Sequence, residues 1–284
     1  MIHSHHVYPD GYGLIKTKKH LKIPLVVDIH GDDFFYKYYN NVIYHKLFSK
    51  VLLESDKIIC ISENLYNLAL NNKIEQNKLE YIPLGINTDI FYNKYKNNIN
   101  NKINILFVGQ LIPRKNVFKI MEIARYLKNN RKDIIDKIHF FIVGDGPQKN
   151  IILHYISNNN LDSIITVHEN VDQDKLVELY SISKIFILPS LSEGKPIVIN
   201  EAMATECAII APNISGIKEQ IINGYNGFLI DNQNLDSYLE KIIYLIENED
   251  ELEKMCNNSR KKIFKDNITW DNYSKNIVNL YKNI

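Results

Sequence analysis

The strongest chemical signal is Ser192-Glu193-Gly194-Lys195-Pro196-Ile197-Val198-Ile199-Asn200-Glu201-Ala202-Met203-Ala204, two glutamates with seven residues between them. Gly194 would let a ligand approach the backbone, and Pro196 is favoured in a first helical turn. A helix starting there would turn unpaired N–H groups toward an anion. Glu201, about one turn inside that helix, could accept two hydrogen bonds from a vicinal diol such as a ribose, and Glu193 could contact sugar hydroxyls. On spacing alone, Glu193 could instead cap the helix and Glu201 could be a solvated helix residue. Other residues offer chemistry less specifically. Arg114-Lys115 is by itself an ordinary solvated pair. His30 ends an apolar run and precedes Gly31-Asp32, where a histidine can simply close a strand. His3, His5 and His6 could suggest a metal.

These residues need elements to position them. Short β-rich apolar runs alternate with helical patterns, which predicts parallel sheets with helices on both faces. Strands are expected at Ile23–Ile29, Lys57–Ile61 and Leu79–Pro83, with a helical stretch to about Leu53 and another helix capped by Ser62. An Asn/Lys/Tyr-rich stretch, Asn87 to Lys102, reads as a linker. A second series of strands follows at Ile103–Val108, Ile138–Val143, Ile164–Val167, Lys184–Leu188, Ala208–Ala211 and Gly227–Ile230. Helices are expected near Asn116–Asn129, Gln148–Asn158, Lys175–Ser181 and Ile197–Thr205, and Leu235 to Ile284 reads as wholly helical. Ligands of such sheets sit at the carboxyl ends of strands. That rule selects His30-Gly31-Asp32, Gly109–Lys115, Gly144–Pro147 and Pro189–Pro196.

Composition narrows the class. Lys+Arg total 34 against 33 Asp+Glu, which argues against nucleic acid as a partner. Cys60, Cys207 and Cys256 are scattered, without metal or disulfide spacing, and point to a reducing compartment. No apolar run reaches the ~20 residues of a membrane span. The four lysines of Lys16–Lys22 could touch an anionic membrane surface, although such a run is more often a solvated helix end.

The glutamate motif resembles the signature of the retaining GT-B glycosyltransferases of family 4, group 1, of the bacterial surface-polysaccharide or teichuronic type. Further segments match in order: Ile105–Gly109 with Lys115-Asn116, Phe141–Pro147, Ile187–Ser190, Asn223–Ile230, Trp270 with Tyr281, and upstream Ile23–Asp32. The resemblance implies an α/β GT-B architecture of two doubly wound Rossmann-like domains facing a cleft, the first incomplete. Residues 1–92 would form a partial acceptor domain, 93–262 the nucleotide-sugar domain, and 263–284 a helix returning to the first domain. It implies that Glu201 binds the ribose and that Glu193, with Gly194, Lys195, Pro196 and Ile197 after it, holds the donor sugar. Lys115, with Gly109 and Arg114, would meet the diphosphate, where fixed cations stabilise the leaving group. His30 would face the donor sugar, and His3 and His5 would end a strand near the cleft. No metal and no cofactor are implied; the co-substrate is a nucleoside-diphosphate sugar. The acceptor would be a glycan or a lipid-linked glycan, met in the cytoplasm or at the inner membrane surface.

Four departures from the pattern count. At ~30 residues per βαβ unit, the chain is expected to start roughly 80–100 residues into the family's length. Gln110 stands where an arginine is usual, Thr205-Glu206-Cys207 replaces a Gly-containing turn, and Ser215-Gly216 and Asn170 stand where glycines are common. The expected function is retaining transfer of a hexose or similar sugar. The alternative is a non-catalytic sugar-nucleotide-binding pseudo-enzyme, partner subunit or remnant. A dinucleotide-dependent oxidoreductase is disfavoured, because Gly144-Asp145-Gly146-Pro147 lacks the third glycine of that fingerprint.

Overall fold

The computed structural model describes residues 1–31, 41–94, 102–231 and 234–284. Asp32, the start of the helical stretch before Leu53 and residues 95–101 of the Asn87 to Lys102 segment lie outside them. The chain divides into two compact units. One comprises Met1–Gly85, Glu193–Lys195 and Ile268–Ile284; the other comprises Ile86–Ser192 and Pro196–Asn267.

The first unit is built on a parallel sheet of β1 (Ile2–Ser4), β2 (Leu25–Ile29), β3 (Lys57–Cys60) and β4 (Leu79–Tyr81), in that order. Every residue of β2 is buried, as expected of a strand covered on both faces. Leu25, Val27 and Ile29 point to one side, where Phe48, Val51 and Leu52 of the helix Val42–Glu54 and Leu65 and Ala69 of the helix Glu63–Asn71 pack on them. Val26 and Ile59 point to the other side, against Leu280, Ile277 and Tyr273 of the helix Trp270–Lys282. Ser62 caps its helix by accepting from the Leu65 N–H at 3.2 Å, which satisfies one of the orphan donors of the first turn. The lysine-rich stretch belongs to a longer helix, Tyr12–Leu21.

The second unit holds six parallel strands: β5 (Ile103–Val108), β6 (Ile138–Val143), β7 (Ile165–His168), β8 (Ile185–Ile187), β9 (Ala208–Pro212) and β10 (Gly227–Ile230). Their order is β10-β9-β8-β5-β6-β7. The chain builds outward from β5 through β6 to β7, then crosses to the other side of β5 and builds outward again. The order therefore reverses between β5 and β8, and open parallel sheets bind ligands at the carboxyl ends beside such a reversal. Both flanking strands are fully buried apart from their ends, so the loops that leave them are the free variables of the fold.

Two local corrections apply to the sequence expectations. The helix of the glutamate motif spans Ile197–Ala204, so Pro196 is the N-cap residue in extended backbone and lies just outside the first turn. The strand expected at Lys184–Leu188 shortens to the three residues Ile185–Ile187 that pair with β9, of which Ile185 and Phe186 also pair with β5.

Candidate active site

The loop after β5 runs from Gly109 to Lys115 and ends in a single 3-10 turn, Pro113–Lys115. The loop after β8 runs to Pro196. The two are tied directly: the Leu191 N–H donates to the Arg114 carbonyl at 2.8 Å, and Arg114 Nη1 donates to the Ser192 carbonyl at 3.0 Å. Arg114 thereby braces the loop that leads into the first glutamate. The Lys115 side chain runs along Gly109, within 3.8 Å of where a Cβ would stand. Gly144, at the end of β6, sits so close that a Cβ would fall 1.9 Å from the Gly109 carbonyl oxygen, and only glycine lets these two strand ends meet. The Ser190 hydroxyl in the β8 loop is fully buried and has no hydrogen-bond partner among the described residues.

The helix Ile197–Ala204 starts at this loop, and its first N–H groups are the orphan donors of a helix terminus. Its position is set from beneath by a buried amide. Gln220 Nε2 donates to the Pro196 carbonyl at 3.1 Å and to Asn200 Oδ1 at 2.8 Å. Asn226 Nδ2 in turn donates to the Gln220 carbonyl at 3.2 Å. Glu201 is partly buried, and its Oε2 accepts a 2.7 Å hydrogen bond from the Tyr180 hydroxyl. Burial raises the Glu201 carboxyl above its ordinary value, and the Tyr180 bond opposes that shift. Tyr180, fully buried at the end of the helix Gln173–Ser181, thus orients one carboxylate oxygen.

The second unit accordingly gathers Gly109, Arg114, Lys115, Pro196, Ile197 and Glu201 of the expected residues. The first unit gathers His30, Glu193, Gly194 and Lys195. There Gly194 lies against the His30–Gly31 backbone: a Cβ on Gly194 would stand 2.3 Å from the His30 carbonyl oxygen. Lys195 is nearly buried and donates from Nζ to the Tyr81 hydroxyl at 3.1 Å. His30 Nε2 lies 3.6 Å from Asp28 Oδ2. Burial alone would raise the Asp28 carboxyl, but the hydrogen bonds from His3 and His5 and the nearby His30 ring outweigh it and hold that group well below the usual carboxylate range.

Sequence reasoning missed Tyr180, Gln220 and Asp28. Tyr180 and Gln220 sit among apolar core neighbours with no local spacing that ties them to the glutamate motif. Asp28 carried a signal, an acid inside the apolar run Leu25–Ile29, that by itself names no partner.

Two parallel α/β sheets, the second with its reversal beside β5, define the GT-B fold. The sucrose-phosphate synthase of Thermosynechococcus elongatus superposes with a TM-score of 0.83 at 19% identity, over 99% of this chain and 73% of that one. Anabaena HepE, solved with UDP, gives 0.83 at 13% identity, over 96% and 76%. Residues 90–262 match the family model "Glycosyl transferases group 1", and residues 1–90 match "Glycosyltransferase Family 4". The chain belongs to this glycosyltransferase family. It is 30% identical over its whole length to an uncharacterized glycosyltransferase of Methanocaldococcus jannaschii, of which it covers 75%. It is also 32% identical, over 75% of the chain, to the Escherichia coli UDP-Gal:alpha-D-GlcNAc-diphosphoundecaprenol alpha-1,3-galactosyltransferase. It spans 54% of that enzyme's length.

Proposed function

We propose that this chain binds a nucleoside-diphosphate sugar in its second unit and transfers the sugar, with retention of configuration, to a glycan or lipid-linked acceptor. The observation that carries the reading is the order reversal between β5 and β8. It brings the Gly109–Lys115 loop, joined to the β8 loop through Arg114, to the same sheet edge as the start of the Glu201 helix. In this reading Lys115 and the helix N-terminus take the diphosphate, Glu201 takes the ribose, and Glu193 and His30 serve the donor sugar. Charge grows on the leaving diphosphate as the glycosidic bond breaks, and pre-placed cations and N–H groups lower that barrier without reorganising. No resident cofactor or metal takes part in the transfer.

The acceptor class is argued from the Escherichia coli relative, whose name specifies a diphosphoundecaprenol-linked sugar. The proposal includes peripheral contact with an anionic membrane at its cytoplasmic face, where such an acceptor is presented. No helix among the described residues is long and apolar enough to cross a membrane. Lys18 and Lys19 are ion-paired with Asp56 and Glu54, so Lys16 and Lys22 are the lysines of that helix region assigned to this contact.

One observation favours a second reading, a chain that binds sugar nucleotide without turnover: Gln110 stands where the family usually has an arginine. A thermal-shift panel of nucleotide sugars, followed by transfer to a lipid-diphosphate-linked sugar, separates the two. A ligand at 100 times its dissociation constant adds about 2.7 kcal/mol of stability. Stabilisation with transfer and a retained anomeric configuration supports the first reading. Stabilisation without transfer selects the second. No stabilisation by any nucleotide sugar contradicts both.

A further inference from the structure

The face of the first sheet that meets the C-terminal helix carries a set of ligating side chains. In the parallel β1–β2 pair, His3 lies opposite Val26, so the two point to the same side. Side chains alternate along a strand, which puts His5, Asp28 and His30 on that side as well. The distances follow from this register. His3 Nε2 donates to Asp28 Oδ1 at 2.6 Å, and His5 Nδ1 donates to Asp28 Oδ2 at 2.9 Å. The other nitrogen of His3, Nδ1, is 2.6 Å from the Tyr281 hydroxyl. Asp28 is 1% exposed and His5 65% exposed, so the group has a buried floor and an open mouth. One ligand atom from each of His3, His5 and Asp28 falls within 4.8 Å of the other two.

We propose that His3, His5 and Asp28 form a binding site for one divalent transition-metal ion of the zinc type. Two imidazoles and a carboxylate suit zinc and its neighbours better than magnesium or calcium, which prefer all-oxygen shells. Such an ion holds nitrogen and oxygen ligands at about 2.0–2.2 Å, which in a tetrahedral shell sets its ligand atoms roughly 3.3–3.6 Å apart. The imidazoles must therefore back away from the carboxylate by up to about 1 Å, and the three ligand atoms, now within 4.8 Å of one another, must draw to that spacing, which the exposed His5 ring can turn to do. Both histidines ligate as neutral imidazoles. The ion takes the place of the N–H that points at Asp28: a ring that starts neutral carries its one proton on the other nitrogen instead, and a ring that starts as imidazolium releases the surplus proton to solvent. His3 Nδ1–H then donates to Tyr281, an outer partner that fixes the ring and its tautomer. Three protein ligands leave one position for water or a small anion. The proposed sugar transfer is assigned no metal, so this site is a binding property of the first unit and holds whatever the second unit binds.

The test uses the whole chain, stripped by a chelator and freed of it. Co(II) is titrated while its visible absorption is followed, and Zn(II) is titrated by calorimetry. The expected result is one equivalent per chain, with Co(II) bands that Zn(II) displaces. His5→Ala should weaken binding at least tenfold, and Tyr281→Phe by about tenfold, the usual effect of losing an outer-shell partner. His5 is exposed, so its variant folds; circular dichroism checks this for Tyr281→Phe. His154→Ala, altering an exposed histidine elsewhere, should bind as the parent does. Absence of a stoichiometric site overturns the proposal. So does binding that His5→Ala leaves unchanged, which would mark an adventitious ion.

Discussion

Replacing Glu201 by alanine should weaken nucleoside diphosphate binding by a calculable amount. Glu201 Oε2 is held by Tyr180 at 2.7 Å, so the carboxylate is pre-oriented and the ligand need not order it. Hydrogen bonds to a charged acceptor contribute ~1.5–3 kcal/mol. At 1.4 kcal/mol per factor of ten, the dissociation constant should rise roughly 10- to 150-fold. Tyr180→Phe is the control for orientation. It keeps the charge but removes the donor to a partly buried oxygen, so its main cost should appear as ~1–3 kcal/mol of stability. The assay is calorimetric titration of UDP, GDP, ADP and CDP into each folded variant, using the nucleotide the parent chain binds best. Unchanged affinity in a folded Glu201→Ala protein would refute the ribose assignment. An affinity loss in Tyr180→Phe equal to that in Glu201→Ala would refute the claim that Tyr180 acts through position.

Lys115→Ala should weaken a nucleoside diphosphate about 10- to 150-fold while changing the matching nucleoside by less than about twofold; equal losses in paired titrations would mean that Lys115 acts through folding. The Glu201 carboxylate accepts the proposed ribose hydroxyls more strongly than its protonated form would, and burial raises its carboxyl above the usual 4.5. Nucleotide affinity measured against pH should therefore fall as the pH drops toward that raised value. The folded chain holds this proton more tightly than the unfolded one, so the Glu201 contribution to stability grows as pH falls through the folded value and levels off below the unfolded value. Gly194→Ala would drive a Cβ to 2.3 Å from the His30 carbonyl oxygen. It should cost ~1–3 kcal/mol, read in thermal denaturation as a drop of roughly 2–10 °C. Gln220→Leu removes the bonds to Pro196 and Asn200, and denaturant titration should show a loss of ~1–3 kcal/mol.

The strands were legible because apolar runs of β-branched residues bounded by Gly, Pro and Asn have few other uses. Ile103–Val108, Ile138–Val143 and Gly227–Ile230 match the structure end to end. Ends failed where pairing, not composition, sets the boundary: β8 stops at Ile187 although Leu188 is as apolar, because its register with β9 runs only from Ile185 to Ile187. Pro196 shows the same limit at a helix start, since a proline is favoured in the first turn yet here holds the extended N-cap. At the candidate site, the side chains proposed to meet a ligand were read from local spacing and family likeness. Their supports were not. Tyr180 lies 21 residues before Glu201 and Gln220 lies 24 after Pro196, and only the parallel sheet with its crossover helices brings these pairs together. The brace from Arg114 to the Ser192 carbonyl is of the same kind, for it depends on β5 and β8 being neighbours.

The account rests on where the nucleotide sits. The direct measurement is a crystal structure of the chain soaked with the nucleoside diphosphate that it binds best. The account predicts the diphosphate at the carboxyl ends of β5 and β8, against Gly109–Lys115 and the first N–H groups of the helix Ile197–Ala204, with both ribose hydroxyls on Glu201. Density for the nucleotide at any other sheet edge, or a ribose turned away from Glu201, would contradict it.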